Sequence, residues 1–231
     1  MSRIISIEGN IGSGKSTLVK DLQIYFKNKN INDEKVVFLQ EPVDIWNTIY
    51  DEKGTTILEN FYSDQKKYGF SFQMMAYISR LSKIRETIKK YPNTIIITER
   101  SLFTDKYVFA KMLYDNEKID EINYKIYLKW FNDFIDDLPK HEFIYIKTHP
   151  EKCIERINKR NRVGENIELD YLIDCDKYHD KMLTSHECFS QLVLDGNIDM
   201  GNSDGGYNMH INSIELMIFN NYETKENEIN I

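Results

Sequence analysis

Short apolar runs alternate with longer segments of helical periodicity along this chain. Five runs are rich in β-branched, aliphatic or aromatic residues, and they lie at 4–7, 36–39, 95–97, 143–146 and 192–194. Because the runs are continuous rather than alternating, they predict strands that are covered on both faces, as in a parallel sheet. Parallel neighbours need crossover connections, so the pattern predicts an α/β fold with a five-stranded parallel sheet flanked by helices.

Helical spacing fills the intervals between these runs. The clearest case is 70–90, where apolar residues recur every three or four positions. They are Met74, Ile78, Leu81, Ile84 and Ile88. Further helices are predicted at 15–27, 102–114 and 121–135, and another pair flanks the charged stretch 159–165.

The chain is predicted to form one domain over 1–196 with a different tail. Residues 197–231 are rich in Asn, Gly, Asp and Glu, and they predict a variable tail that is partly packed on the same domain. The apolar piece 214–219 is its candidate for packing, as a helix or a strand. The last ten residues are expected to be frayed.

Composition and charge narrow the classes of function. The 231 residues carry a formal net charge of -7, which disfavours a general nucleic-acid binder. No apolar run approaches the ~20 residues that span a bilayer, so no membrane partner is expected. The cysteines Cys153, Cys175 and Cys188 form no C-x-x-C pair, which argues against a zinc site or a disulfide framework. We expect a reducing, cytoplasmic location.

The sharpest motif is a glycine-rich loop between the first strand and the first helix. It matches G-x-x-x-x-G-K-[ST] and consists of Gly9, Asn10, Ile11, Gly12, Ser13, Gly14, Lys15, Ser16 and Thr17. Such a loop points backbone N–H groups at one anion, and the helix that follows adds its positive end. The lysine can reach the β- and γ-phosphates, and the Ser16 hydroxyl can bind Mg²⁺. The loop predicts binding of a nucleoside triphosphate.

Four further motifs follow the predicted strands in order. Glu41-Pro42-Val43-Asp44-Ile45-Trp46 comes after the second strand, and Phe72-Gln73 is followed two turns later by Arg80. Glu99-Arg100-Ser101 comes after the third strand, and a basic stretch runs from Arg156 through Arg160 to Arg162. From about Arg3 to Leu194, this set resembles the deoxyribonucleoside kinases, which include deoxycytidine and deoxyguanosine kinases. The resemblance implies a three-layer P-loop kinase fold with a short basic lid.

The resemblance also implies an acceptor site for a deoxynucleoside. Glu41 would be the general base that takes the proton of the 5′-hydroxyl, and it lies where ligands bind in open α/β sheets. Gln73 would pair with the base edge, since its amide both donates and accepts. Tyr62 and Glu165 would bind the sugar 3′-hydroxyl. The remaining members of the base pocket would be Trp46, Phe72, Ala76, Arg80, Asp105 and Phe109.

The donor side would be completed by charged groups around the triphosphate. Glu99 would lie near Mg²⁺, and Arg100 would steady the 5′ end and the phosphate. Arg156, Arg160 and Arg162 would act as lid arginines that stabilise the transferring phosphoryl group. ATP is the expected donor, with Mg²⁺ as cofactor, and catalysis would rest on Glu41, Arg100, Lys15 and Arg156.

The resemblance has two finer implications. The pair Arg80 and Asp105 matches deoxycytidine and deoxyguanosine kinases rather than thymidine-accepting relatives, so deoxycytidine or a purine deoxynucleoside is expected to be preferred over thymidine. A homodimer is expected, with 102–114 and 121–135 as its interface helices. Two alternatives stay open, namely a nucleoside monophosphate kinase and a catalytically silent structural relative.

Overall fold

A computed structural model describes residues 2–31, 35–162, 165–184, 191–198 and 205–226. Five parallel strands form one sheet in the order β2-β3-β1-β4-β5. They are β1 (Arg3–Glu8), β2 (Val36–Leu39), β3 (Ile95–Glu99), β4 (His141–Lys147) and β5 (Gln191–Asp195). Each coincides with a predicted apolar run, which confirms the predicted α/β fold.

Helices cover both faces of the sheet. The first five are α1 (Lys15–Asn28), α2 (Val43–Trp46), α3 (Ile57–Ser63), α4 (Gln65–Lys90) and α5 (Leu102–Thr104). A π-helical segment (Asp105–Ala110) joins α5 directly to α6 (Lys111–Asp115). The others are α7 (Glu121–Ile135), α8 (Pro150–Arg160), α9 (Leu169–Thr184) and α10 (Gly205–Glu226).

The helix starts follow the local sequence. Thr56 and Glu59 form a reciprocal capping box at α3, and the Asp64 side chain caps α4. Such a cap is worth about 1 kcal/mol because it satisfies backbone N–H groups that have no partner within the helix. The cap places the start of α4 at Gln65, five residues before the predicted start at 70.

The core is divided between the two faces of the sheet. On one face, α1 buries Leu18, Leu22 and Phe26 against Ile5 and its neighbours in the strands. On the other face, α4 and α7 pack against the opposite side chains of β1 and β3. Full burial of one such side chain contributes about 1.5–3 kcal/mol.

Parallel strands place all their carboxyl ends at one edge, and this arrangement positions the site. After β1 the chain passes to β2 at the sheet edge, returns to β3 beside β1, and then continues to β4 on the other side of β1. Ligands bind where the direction of the strand order reverses in this way. The glycine loop and Arg100 both lie there, immediately after β1 and β3.

Burial along α4 does not follow its apolar spacing throughout. Ile78 belongs to that spacing but is 49% exposed, while Gln73 and Arg80 of the same helix are buried. Of the last ten residues, which were expected to be frayed, 222–226 belong to α10 and 227–231 lie outside the described residues. The tail helix places Ile211, Ile214 and Ile218 in the core beside α1.

Candidate active site

A cavity of about 1120 Å³ opens along the carboxyl edge of the sheet. It is lined by nearly every site residue that the sequence predicted, from the glycine loop to the basic stretch after α8. The predicted residues that do not line it are Gly9, Asn10 and Ser13, which lie in the same loop. The structure therefore brings the five separate motifs together around one space.

The loop conformation explains two of its glycines. Gly12 has φ +79°, and a Cβ atom there would lie 2.6 Å from the Cys153 carbonyl oxygen of α8. Gly14 has φ +103° at the start of α1. Side chains disfavour both conformations, so these positions let the loop curl tightly against α8 before the helix begins.

Lys15 is folded onto its own loop. Its Nζ donates to the Asn10 carbonyl oxygen at 2.6 Å and to Ser13 Oγ at 3.4 Å. Burial, with the nearby charge of Arg100, lowers the pKa of Lys15 to about 7, although Glu99 and Glu41 oppose the shift. The ammonium group is therefore held among carbonyl and hydroxyl oxygens where a phosphate oxygen could replace them.

Ser16 and Glu99, the two predicted Mg²⁺ residues, are in contact. Ser16 Oγ donates to Glu99 Oε1 at 2.6 Å. Over the described part of the chain, no group of three or more His, Cys, Asp or Glu residues could hold a metal ion. This donor set fits Mg²⁺, which is commonly bound by one or two protein oxygens together with waters and substrate phosphates.

Glu41 lies at the centre of the charged network. Its Oε1 accepts from Arg100 Nη1 at 2.7 Å and from Arg80 Nη2 at 3.3 Å. Burial by itself would raise the pKa of Glu41, but Arg100, Arg80 and Lys15 outweigh it and lower the pKa to about 2. The carboxylate is therefore ionised throughout the physiological range.

Arg80 connects Asp105 to the Glu41 carboxylate. Its Nε donates to Asp105 Oδ2 at 2.9 Å, and its Nη1 donates to the Glu99 carbonyl oxygen at 2.6 Å. Burial would lower the pKa of Arg80, but Asp105 and Glu41 raise it further. Asp105 opens the π-helical segment, an irregularity that often occurs at functional sites.

Aromatic side chains form the wall beside these charges. Trp46 and Phe72 meet edge to face with centroids 5.2 Å apart, and Phe72 stacks on Phe61 at 4.6 Å. The Phe109 ring lies 5.1 Å from the Arg100 guanidinium. This wall offers flat apolar faces to a planar ligand.

Buried polar atoms without a partner mark where a ligand could bind. Among the described residues, Gln73 Oε1 and both Nε and Nη2 of Arg100 have no hydrogen-bond partner. Buried polar atoms are normally paired, so such unpaired atoms around one cavity indicate a polar ligand. Ala76 lies between Gln73 and Arg80 on the same buried face of α4.

The basic stretch is already engaged with acidic and carbonyl oxygens. Arg160 donates to Glu165 Oε2, and Arg162 Nη1 lies 3.9 Å from Glu165 Oε1. Burial, together with Glu165, raises the pKa of Tyr62. Arg156 Nη1 donates to the Ser13 carbonyl oxygen at 3.2 Å and to that of Gly196 at 2.8 Å. Its role as a phosphate ligand stays a prediction.

Several cavity residues were missed from the sequence. Phe61 and Tyr171 line the cavity, and neither belonged to a recognised motif. Three lining residues of α8, Lys152, Glu155 and Lys159, share a helix face with Arg156. Their spacing could have revealed them, whereas Phe61 and Tyr171 gave no local signal.

Comparisons with known proteins agree with this geometry. A family model described as deoxynucleoside kinase matches residues 5–218. A probable deoxycytidine kinase of Fowlpox virus is 36% identical, over 84% of this chain and 78% of the relative. Deoxycytidine kinase 2 of Gallus gallus is 33% identical over 87% and 84%, and mitochondrial deoxyguanosine kinase of Xenopus laevis is 30% identical over 78% and 72%. The match continues into α10, beyond Leu194, where the resemblance was expected to fade.

Proposed function

This chain belongs to the deoxynucleoside kinase family, and on that premise we propose how its residues divide the transfer of a phosphoryl group from ATP to a deoxynucleoside. The observation that carries the proposal is the position of Glu41, an ionised carboxylate that lines the same cavity as the phosphate loop and the unpaired Oε1 atom of Gln73. An acceptor hydroxyl beside Glu41 would face the γ-phosphate bound at Lys15.

The donor would be held by the loop N–H groups and Lys15. Ser16 and Glu99 would bind Mg²⁺, which neutralises charge on the β- and γ-phosphates when it is present. Arg160 and Arg162 would exchange part of their contact with Glu165 for phosphate oxygens as the lid closes. Arg156 would keep α8 docked on the loop through the Ser13 carbonyl and add positive charge there.

The acceptor would be held by the other half of the cavity. Glu41 would accept the 5′-hydroxyl proton as the new P–O bond forms, and Arg100 would steady the 5′ oxygen and the developing charge. Tyr62 and Glu165 would bind the 3′-hydroxyl. Gln73 would pair with the base edge between the rings of Trp46, Phe72 and Phe109, with Ala76 leaving room beside it.

The preferred base is proposed to be cytosine or a purine rather than thymine. The Arg80 and Asp105 side chains are buried together and fill the side of the pocket next to Gln73 and Ala76. Their volume would exclude the C5-methyl group of thymine, and their polar atoms would favour bases with an exocyclic amino group, which thymine lacks.

A direct assay tests the function. Phosphoryl transfer from Mg·ATP would be measured with deoxycytidine, deoxyadenosine, deoxyguanosine and thymidine, and with the four monophosphates as alternative acceptors. We expect transfer to deoxycytidine or the purine deoxynucleosides. Transfer to monophosphates alone would support the alternative of a monophosphate kinase, and no transfer to any acceptor would support a catalytically silent relative.

ATP binding is expected to take up a proton at pH 8. Lys15, whose pKa is about 7 in the free protein, is mostly neutral at that pH, and triphosphate oxygens would favour its charged form. The affinity for ATP should therefore fall as pH rises from about 7 to 9. Calorimetric titrations in buffers of different ionisation enthalpy count the protons.

Lys15→Arg is the matched variant for this measurement, since a guanidinium keeps its proton. It should bind ATP with less proton uptake than the natural protein. Equal uptake by both proteins would show that Lys15 is already charged before ATP binds.

A homodimer is proposed to form through α7 and α4. Ile122, Ile126 and Trp130 repeat every four residues on α7 and are exposed, as is Ile78 on the neighbouring α4. Leu102, Met112 and Leu113 of the other expected interface helix, 102–114, are buried within the fold, so the proposal pairs α7 with α4 rather than with 102–114. An apolar stripe of this kind suits a second copy of the same helix pair.

Charge placed in the stripe should separate the subunits. Ile126→Asp is expected to convert a dimer into a monomer in sedimentation velocity, because the carboxylate would be buried without a partner. Lys125→Asp, on the adjacent exposed position paired with Glu121, is the control and should leave the dimer intact. A natural protein that sediments as a monomer at micromolar concentration would contradict the proposal.

A cytoplasmic location also stays a proposal. Cys153 and Cys175 are free and buried, and Cys188 lies outside the described residues. Across the described chain, every helix is too short or too polar to cross a membrane. The free thiols fit a reducing compartment.

A further inference from the structure

Glu8 is a buried carboxyl group with no part in the site described above. It is the last residue of β1, directly before Gly9, and its exposure is 0%. In the sheet it lies opposite Tyr145 of β4, one residue beyond the pairing of Ile7 with Glu99. Carboxyl groups are rarely buried to this degree without a specific partner, so its surroundings need an explanation.

The partner of Glu8 lies in the turn that follows Arg100. Its Oε2 accepts a hydrogen bond from the Thr104 hydroxyl. Its Oε1 has no partner among the described residues. Because its partner in the described structure is a hydroxyl group, the carboxyl group acts as a hydrogen-bonding anchor for Thr104. Burial is also the main reason that the pKa of Glu8 is raised.

The anchored turn has an unusual backbone. Arg100 has φ +64°, in the left-handed region that non-glycine residues seldom adopt. Its N–H donates to the Ile7 carbonyl oxygen at 3.0 Å, and the Thr104 N–H donates to Ser101 Oγ at 3.2 Å. Such a conformation persists only where its surroundings hold it from several sides. Glu8 supplies the side-chain link on the β1 side.

We propose that Glu8 is a positioning residue for the acceptor half of the site, an inference that rests on the proposed roles of Arg100 and Glu41. By holding Thr104, whose N–H donates to Ser101 Oγ, Glu8 keeps the turn in the form that directs Arg100 Nη1 at Glu41, 2.7 Å away. Asp105 follows Thr104 directly, so the contact between Glu8 and Thr104 also fixes the position of the Asp105 carboxylate, which accepts a hydrogen bond from Arg80. One buried group thus fixes both arginines that contact Glu41.

Loss of the Glu8–Thr104 contact should affect the deoxynucleoside site more than the ATP site. Lys15 and Ser16, the proposed ATP-site residues, form their hydrogen bonds with Asn10, Ser13 and Glu99, and Thr104 is not among these partners. A relaxed turn would displace Arg100 from Glu41 while leaving the phosphate loop closed on Lys15. Displacements of about 1 Å at reacting groups can lower a rate by about 100-fold.

Three single variants and one double variant test the proposal in steady-state kinetics with both substrates varied. Glu8→Leu is expected to lower kcat about 10- to 100-fold and to raise KM for the deoxynucleoside, with KM for ATP nearly unchanged. Glu8→Gln should retain most of the activity, since its amide oxygen can still accept from Thr104. Thr104→Val should reproduce the loss, and Glu8→Leu with Thr104→Val should be no worse than either alone.

A buried pair between β1 and β3 is the control, and its β1 member, Ser6, lies two residues before Glu8. Thr98 Oγ1 donates to Ser6 Oγ at 2.9 Å, so Thr98→Val removes a comparable hydrogen bond farther from the site. It should lower the melting temperature about as much as Thr104→Val and leave kcat unchanged. If Glu8→Leu fails to fold, the contrast between Thr104→Val and Thr98→Val decides the question.

Two outcomes would overturn the proposal. An effect of Glu8→Leu or Thr104→Val confined to KM for ATP would mean that Glu8 acts through the adjacent phosphate loop. An equal fall of kcat in Thr98→Val would mean a general structural role. Neither result bears on the proposed function, which fails separately if the natural protein transfers no phosphoryl group from Mg·ATP to any deoxynucleoside.

Discussion

Glu41→Gln should lower kcat by about 100- to 10,000-fold, the range that a positioned general base contributes. Glutamine has the same size and can still accept one hydrogen bond from Arg100, but it cannot take the proton of the 5′-hydroxyl. It also removes the negative charge between two buried arginines. Phosphoryl transfer to deoxycytidine under saturating Mg·ATP is the measurement.

The control for Glu41 lies in the next helix. Asp44 of α2 is largely exposed and pairs with Lys83 at 3.1 Å. Asp44→Asn also removes one carboxylate from this region and should leave kcat within about twofold, because an exposed ion pair contributes little. ATP affinity should stay near its natural value in both variants. Full activity of Glu41→Gln would show that another group accepts the proton.

Glu41→Gln should also change the stability of the fold to an extent that depends on pH. The pKa of Glu41 is held at about 2 in the folded protein, below its value of about 4.3 in an unfolded chain. Its ionised form therefore stabilises the fold above about pH 4.3, and this contribution is lost as pH falls towards 2. The stability difference between natural protein and Glu41→Gln should shrink over that window in denaturant titrations.

Replacing Arg80 by Met and Asp105 by Ala together should shift base preference towards thymidine. The two side chains are buried against each other, and their removal would open space for the C5-methyl group while deleting the polar atoms beside it. The ratio of kcat/KM for thymidine to that for deoxycytidine should rise about 10- to 100-fold. Competition between the two nucleosides in one assay measures the ratio directly.

The single substitutions should behave differently from the pair. Arg80→Met alone leaves Asp105 buried without its counterion, which costs about 3–5 kcal/mol of folding free energy. The double variant lacks the Asp105 carboxylate as well, so it has no unpaired buried charge there and should be more stable than Arg80→Met in denaturant titrations. It should still lose some kcat, because Arg80 also contacts Glu41.

Arg85→Met is the control on the same helix. Arg85 is half exposed and pairs with Asp137 at 3.7 Å, so its loss should leave the preference unchanged. If thymidine gains nothing in the double variant, the base is selected elsewhere in the pocket. The assignment of the chain to the family would stand in that case.

The sequence by itself determined the sheet, the phosphate loop and most of the residues that line the cavity. Continuous apolar runs identify buried parallel strands because their side chains are covered on both faces. Parallel strands end at one edge, so motifs directly after β1 and β3, together with Glu41 just beyond β2, had to meet there. Local periodicity also found α1, α4 and α7, since each must bury one face.

Packing against residues distant in the sequence decided which side chains of these helices are buried. Ile78 is apolar yet exposed, and Arg80 is charged yet buried, because hydropathy does not show which polar groups will find partners across the fold. The apolar piece 214–219 was expected to pack as a helix or a strand, and the structure places its Ile214 in the core as part of a helix that begins at Gly205. Burial of that kind depends on contacts that no local window contains.

The electrostatics of the site were equally beyond the sequence. The pKa of about 2 for Glu41 arises because the charges of Arg100, Arg80 and Lys15 outweigh the effect of burial. The pKa of about 7 for Lys15 arises from burial and from the charge of Arg100. Glu8 is the last residue of an ordinary strand in the sequence, and its contact with Thr104 distinguishes it. The sequence specified most of the groups around the cavity, whereas the tertiary structure fixed their charge states and orientations, because both depend on distances between residues remote in the chain.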